Sequence, residues 1–297
     1  MQHFAARVPA SCANLGPGFD AFAVAVDLSL EAWTTEPTEQ RVTTEGEGSD
    51  DVPTDEDNLV WRALTAYCAW AGISPPAVSL RVRSDIPQER GLGSSAAAAV
   101  AGVVLGRAVT GAGGRDTDLA ALAADLEGHA DNAAAALLGG LCVVVDGRSH
   151  RFEPTRALRP VVCVPPTRSS TAEARSRLPS QVPLAQATAN AGRAALVLAG
   201  LSGAGAWDPA VMRDWLVEPA RLAGLPASGA LVERLRSSGV GACLSGAGPS
   251  VLAVVDAADA QALERILAVT PADWRVLALG WNGAGARVRL LGDQLGE

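Results

Sequence analysis

Two short stretches carry residue types from which chemistry can be built. The first is Gly91-Leu92-Gly93-Ser94-Ser95, running into Ala96, Ala97 and an alanine-rich segment. Glycines at 91 and 93 let the main chain adopt φ > 0 and bring its N–H groups close to a ligand. Ser94 and Ser95 can cap a helix or present hydroxyls. A helix starting here would aim unpaired N–H groups and a partial positive charge at the loop, which makes an anion site. The second stretch is Glu127-Gly128-His129-Ala130-Asp131-Asn132, with four polar residues of four types between two apolar segments. Glu127 could ligate Mg²⁺, a cation that takes carboxylate and phosphate oxygens together. Asp131 could position or deprotonate a hydroxyl. His129 is one of three histidines, and a satisfied helix-end residue is the alternative.

An ordinary glycine turn before a core helix would show the same glycine pair. The doubled serine and the other motifs count against that. The segment is not a P-loop, which needs a Lys before the Ser or Thr; all 24 basic residues are Arg. It matches a dinucleotide fingerprint loosely, as Gly91-x-Gly93-x-x-Ala96. However, Pro87 and Arg90 belong to a spacer between the strand at 78–82 and the glycines, and the nearest following acid, Asp116, is poorly placed.

Strands and helices must position these residues. Residues 4–10 and 21–34 read as strands around a turn rich in Gly and Pro at 9–20. There Asn14 and Asp20 either hold the turn by Asx bonds or face a ligand. Residues 43–58 read as an acidic surface connection, and 59–71 as a helix capped by Asp57 or Asn58. The central helix stops at the glycines 111–114. A second helix spans 116–127, and 141–145 is a strand. Residues 146–160 are polar and read as a junction. Helices follow at 185–201, 209–221, 229–238 and 257–269. Strands at 239–244 and 251–255 flank a second glycine loop, Ser245-Gly246-Ala247-Gly248-Pro249-Ser250, and strands at 275–279 and 285–291 close the chain.

The 297 residues suit one large domain or two moderate ones sharing a cleft. A hydrophobic fraction of 48% and a charged fraction of 19% describe a folded globular protein. A net charge of −8 offers no footprint for nucleic acid. The five cysteines are dispersed, with no CxxC, which argues against structural zinc and a disulfide framework. The longest apolar run, 96–106, is too short for a bilayer, so no membrane partner is expected. No secretory leader pattern is read, and a reducing, cytoplasmic setting is the default.

Three motifs in order, Pro9-Ala10-Ser11-Cys12-Ala13-Asn14-Leu15-Gly16-Pro17-Gly18-Phe19-Asp20, then Gly91 to Ala97, then Ser245 to Ser250, form a set that resembles the GHMP small-molecule kinases. Within that superfamily the first motif and 127–132 resemble the homoserine kinase family. So do Ser170-Thr171-Ala172-Glu173-Ala174-Arg175 and Val217-Glu218-Pro219-Ala220-Arg221. The resemblance implies an α+β fold in two halves with the active site in the cleft between them. The N-terminal half, 1–154, would be like domain 2 of ribosomal protein S5, and the C-terminal half, 155–297, ferredoxin-like. It also implies ATP-dependent phosphorylation of the homoserine side-chain hydroxyl on the threonine pathway, with Mg²⁺, and leaves a homodimer open.

Carried over by position, nucleotide contacts fall on Asn58, Pro87, Arg90, Gly91, Leu92, Gly93, Ser94, Ser95, Ala96 and Ala97. The metal falls on Ser94 and Glu127, and catalysis on Asp131 and Asn132. Homoserine contacts fall on Asn14, Asp20, His129, Thr171, Arg175, Arg221, Gly246 and Gly248. The chemistry fits a zwitterion: Asp20 can take the ammonium, and Arg175 and Arg221 the carboxylate. The chain departs from the family in reading His129-Ala130-Asp131-Asn132 where His-Pro-Asp-Asn is common, and in placing Leu216 and Val217 where many members have His. Without Lys it cannot build the Asp–Lys dyad of mevalonate-type relatives. Two other functions stay open: a kinase for another amino alcohol, and a non-catalytic nucleotide sensor. The metal-ligand and acceptor carboxylates, Glu127 and Asp131, argue against the sensor.

Overall fold

The computed structural model describes residues 2–292. Strand β1 (His3–Ala13) runs antiparallel to β2 (Phe22–Thr35) along most of its length. On its other edge β2 serves two partners. Phe22–Val24 pair with β5 (Leu141–Val145), and Leu30–Thr35 pair with β4 (Ser79–Ser84). β3 (Val42–Gly46) lies parallel to β4, and β6 (Arg148–Phe152) forms a hairpin with β5. β11 (Arg287–Leu291) returns to pair with β1, completing seven strands.

Helices α1 (Leu59–Trp70), α2 (Ser94–Thr110), α3 (Asp116–Glu127) and α4 (Ala130–Leu138) belong to this half. α2 and α4 lie on β1 and β2. The contact is small on small: Ala134 and Ala135 of α4 pack with Ala13, Ala23 and Ala25 of the strands. Small side chains bring the helix N-termini close to the sheet, at the height of the turn between β1 and β2. α1 and α2 also approach closely, since a Cβ on Gly102 would lie 2.2 Å from the Val60 carbonyl oxygen.

The second half has an antiparallel sheet in the order β10 (Arg275–Ala278), β7 (Leu158–Val164), β9 (Val251–Asp256), β8 (Gly241–Leu244). Strand alternation splits its side chains between two cores. Val161, Cys163, Val251 and Ala253 pack with Leu231 and Leu235 of α8 (Pro226–Ser237) and Ile266 of α9 (Ala262–Val269). Val162, Val164, Leu252 and Val254 join the core of the first half, as do Val197 and Leu201 of α6 (Leu184–Ser202). The two halves therefore share one continuous apolar core. A cut at 154/155 leaves the first sheet without β11.

Three regions differ from the sequence reading. β3 lies inside the acidic connection; only Val42 of it is buried, so no apolar alternation marks it. β6 lies inside the polar junction and is exposed along most of its length, held by ladder bonds to β5 and by the Arg151 guanidinium on the Leu138 and Gly283 carbonyls. The helix read at 209–221 is broken. A 3₁₀ turn at Pro209–Met212 ends at extended Arg213, and α7 (Glu218–Ala223) begins afresh. Buried Asp214 makes the break by accepting the N–H groups of Leu216, Val217 and Glu218. Among the described residues no helix is long and apolar enough to cross a membrane.

Candidate active site

The glycine loop leads from β4 into α2. Gly93 is the α2 N-cap, with φ 67°, and Gly91 has φ 72°. The serines therefore sit in the first helical turn and make no side-chain cap; glycine takes the cap position because the backbone is left-handed there. The Ser94 hydroxyl is buried with no partner, and Ser95 Oγ donates to Glu127 Oε1 at 2.8 Å. A side chain on Gly93 would turn into the protein, not toward a ligand: its Cβ would lie 2.1 Å from Ser11 Oγ.

Glu127 ends α3, Gly128 turns the chain in the left-handed region, and His129 starts α4. Glu127 accepts from the His129 N–H at 3.0 Å and lies 3.1 Å from its Nδ1. That hydrogen bond holds the His129 pKa above the usual imidazole range against the effect of burial. Asp131, in the first turn of α4, is 3% exposed and accepts from the Asn132 N–H at 2.8 Å. Burial raises its pKa from 3.8 to about 6. Asn132 Oδ1 accepts from Ser11 Oγ at 2.8 Å, which ties α4 to β1.

The turn between β1 and β2 carries features of both readings of Asn14 and Asp20. Asn14 Oδ1 accepts the Asp20 N–H at 3.1 Å, a bond that spans the turn, and both residues line the same cavity. Asn14 and Asp20 hold positive φ, 68° and 53°. The Asp20 carboxylate receives a fork from Arg175, two bonds of 3.0 Å each. Arg175 lies on α5 (Thr171–Ser176). Arg221, on α7, is 5% exposed; its Nη1 donates to the Gly246 carbonyl at 3.0 Å and its Nε has no partner. Burial pushes its pKa down. The Phe19 ring stands against both guanidiniums, 5.0 Å from Arg221 and 5.8 Å from Arg175.

The second glycine loop clamps the first. Ser245 Oγ donates to the Gly91 carbonyl at 2.6 Å, and a Cβ on Gly91 would lie 2.2 Å from the Ser245 carbonyl oxygen. Together these elements enclose a cavity of about 210 Å³. It gathers Asn14, Asp20, Pro87, Arg90, Gly91, Leu92, Gly93, Ser94, Ser95, Glu127, His129, Asp131, Asn132, Thr171, Arg175, Arg221 and Gly246. A second, more apolar cavity of about 170 Å³ shares Gln88, Ser94 and Ser95 with it.

Four of the expected residues do not line this cavity. Ala96 and Ala97 are buried in the helix core. Gly248 faces away, its Cβ direction leading to Leu225 and Leu244. Asn58 lines the apolar cavity, but its side chain is committed to capping α1 through Val60 N–H and to donating to the Pro53 carbonyl. The sequence reading passed over Gln88, Ser11 and Ser245. All three are polar residues inside or beside the motifs, a signal that was available.

The chain matches the family model described as GHMP kinases N terminal domain over residues 58–140, and the model for GHMP kinases C terminal over 207–270. It is 41% identical to the homoserine kinase of Streptomyces coelicolor, over 95% of this chain and 93% of that one. The chain belongs to the homoserine kinase family. Another relative, the homoserine kinase of Mycobacterium tuberculosis, is 41% identical over 84% of this chain and 83% of that one. The fold agrees: the crystal structure of the family member from Cytophaga hutchinsonii superposes with a TM-score of 0.85 at 28% identity, covering 97% of both chains. A mevalonate kinase structure at 13% identity and TM-score 0.68 shares the fold alone.

Proposed function

We propose that the protein transfers the γ-phosphoryl group of ATP to the side-chain hydroxyl of L-homoserine, giving O-phospho-L-homoserine for threonine biosynthesis. Its membership of the homoserine kinase family supports this reading, and one observation carries the substrate class. Arg221 is a buried guanidinium with no carboxylate in ion-pair contact among the described residues, facing a cavity that also holds Asp20 and Asp131. Asp20, Asp214 and Asp131 offset only part of its burial, and a substrate carboxylate in direct contact would complete the pairing. Asp20 takes the ammonium, while Arg175, which forks onto Asp20 in the free protein, turns to share the carboxylate.

The glycine loop and the α2 N-terminus offer N–H groups to the triphosphate, and the apolar cavity beyond Ser94 and Ser95 suits the base. Arg90 holds its guanidinium on the carbonyls of Gln88, Pro165 and Pro166, so it steadies the loop. The unpartnered Ser94 hydroxyl and the Glu127 carboxylate fit Mg²⁺. That ion is commonly held by one or two carboxylates together with substrate phosphates, and among the described residues no cluster of three ligating side chains exists. Bound there, Mg²⁺ would offset charge on the phosphates. Asp131 accepts the hydrogen bond of the acceptor hydroxyl. With its carboxyl raised to about 6, it is ionised at neutral pH yet basic enough to take the proton as the phosphoryl group moves. Asn132, fixed by Ser11, holds the first turn of α4 in place.

The test is ADP release with homoserine, serine, threonine and mevalonate offered in turn. Homoserine alone should sustain turnover. Turnover of another acceptor with none on homoserine would overturn the substrate assignment, and ATP binding without turnover of any would favour the sensor.

A further inference from the structure

Asn190 lies on α6, outside every motif of the site, and is 3% exposed. Both ends of its amide are spent on other segments. Nδ2 donates to the Pro17 carbonyl at 2.9 Å, and Oδ1 accepts the Trp215 N–H at 3.1 Å. Pro17 stands midway between Asn14 and Asp20 in the first turn. Trp215 follows Asp214, the residue that starts α7, and α7 carries Arg221. One buried amide therefore joins the turn bearing the ammonium partner to the segment bearing the carboxylate partner. The two bodies are in direct contact beside it: a Cβ on Gly16 would lie 2.0 Å from the Met212 carbonyl oxygen. Asn is a poor helix former and costly to bury without partners. Its place here is explained by bonds to two loops, not by its own helix.

We propose that Asn190 is a positioning residue for the substrate zwitterion, fixing the separation between Asp20 and Arg221. The inference rests on the homoserine reading above. A ligand that engages both charges senses that separation; a ligand that engages only one does not. Two analogues separate the cases: 3-aminopropan-1-ol is homoserine without its carboxylate, and 4-hydroxybutyrate is homoserine without its ammonium.

The experiment compares the wild-type chain with Asn190→Leu and Asn190→Asp. It measures KM for homoserine and ATP, and the inhibition constants of both analogues. Turnover of homoserine by the wild type is measured first, so failure of the substrate reading shows before any variant is compared. In Asn190→Leu the homoserine KM should rise about tenfold, the worth of one or two lost hydrogen bonds. The ATP KM and both analogue constants should stay within about twofold. Asn190→Asp keeps the acceptor for Trp215 and loses the donor to Pro17, and should show the same pattern. Equal weakening of homoserine and both analogues, or of ATP, would overturn the proposal, as would loss of fold in both variants.

Discussion

Asp131→Asn should trade activity for stability. Burial raises the Asp131 carboxyl from 3.8 to about 6, so ionising it at neutral pH works against folding. That move is worth about 3 kcal/mol at about 1.4 kcal/mol per pH unit. The sign follows from proton counts. Between the two pKa values the folded protein holds a proton that the unfolded chain has released, so this residue's stabilising contribution is complete below pH 3.8. It is lost as pH rises through about 6. Asn carries no such penalty and can still accept the Asn132 N–H. Urea unfolding of both proteins from pH 4 to 8 should show curves that converge near pH 4. The variant should gain up to about 3 kcal/mol by pH 7.5. Its kcat should fall about 10²–10⁴-fold if Asp131 takes the proton. A stability difference that ignores pH, or a variant less stable at pH 7.5, would refute the burial argument. Retention of most of kcat would refute proton acceptance while leaving the burial argument intact.

Glu127→Gln should raise the Mg²⁺ concentration for half-maximal activity by more than the about 10–100-fold that outer-shell losses cost; an unchanged Mg²⁺ titration would point to another ligand. Gly93→Ala should destabilise the fold by about 1–2 kcal/mol for the left-handed backbone alone. Adding Ser11→Ala should recover part of any further loss, because the atom its Cβ would meet is then gone; no recovery would mean the clash is not the cause. Arg221→Leu should weaken homoserine binding by about 1.5–3 kcal/mol with little change in ATP binding; equal loss of both in calorimetry would move Arg221 out of the substrate pocket.

The glycine loop, the 127–132 cluster and the long strands on either side of the first turn were legible because their signals are local. Glycines at positive φ, clustered polar residues and apolar alternation all declare themselves within a few residues. β3 and β6 were illegible for the opposite reason: as exposed edge strands they are held by backbone ladders, which leave no trace in side-chain pattern. The break before α7 depends on the Asp214 side chain reaching three N–H groups, a geometry that helical spacing does not encode. In the site, the charges proposed for the substrate could be named one by one. Their pairing could not: Asp20 meets Arg175 across 155 positions of chain. The effect of a substitution at Gly93 was also hidden, because the sequence cannot show that its side-chain direction points at Ser11.

The return of β11 to β1 sets a schedule for synthesis. β1 is made long before its ladder partner on one edge, with His3 matched to Leu291 and Arg7 to Arg287. At ordinary elongation rates the two are separated by about 15–60 s. During that interval the nascent sheet offers a bare row of main-chain donors and acceptors, a template for pairing with any neighbouring strand. A product ending before Arg287 would leave that edge open permanently, although every residue gathered in the 210 Å³ cavity would already have been made. The failure expected of such a product is aggregation through β1, with the chemistry of the cleft left formally complete.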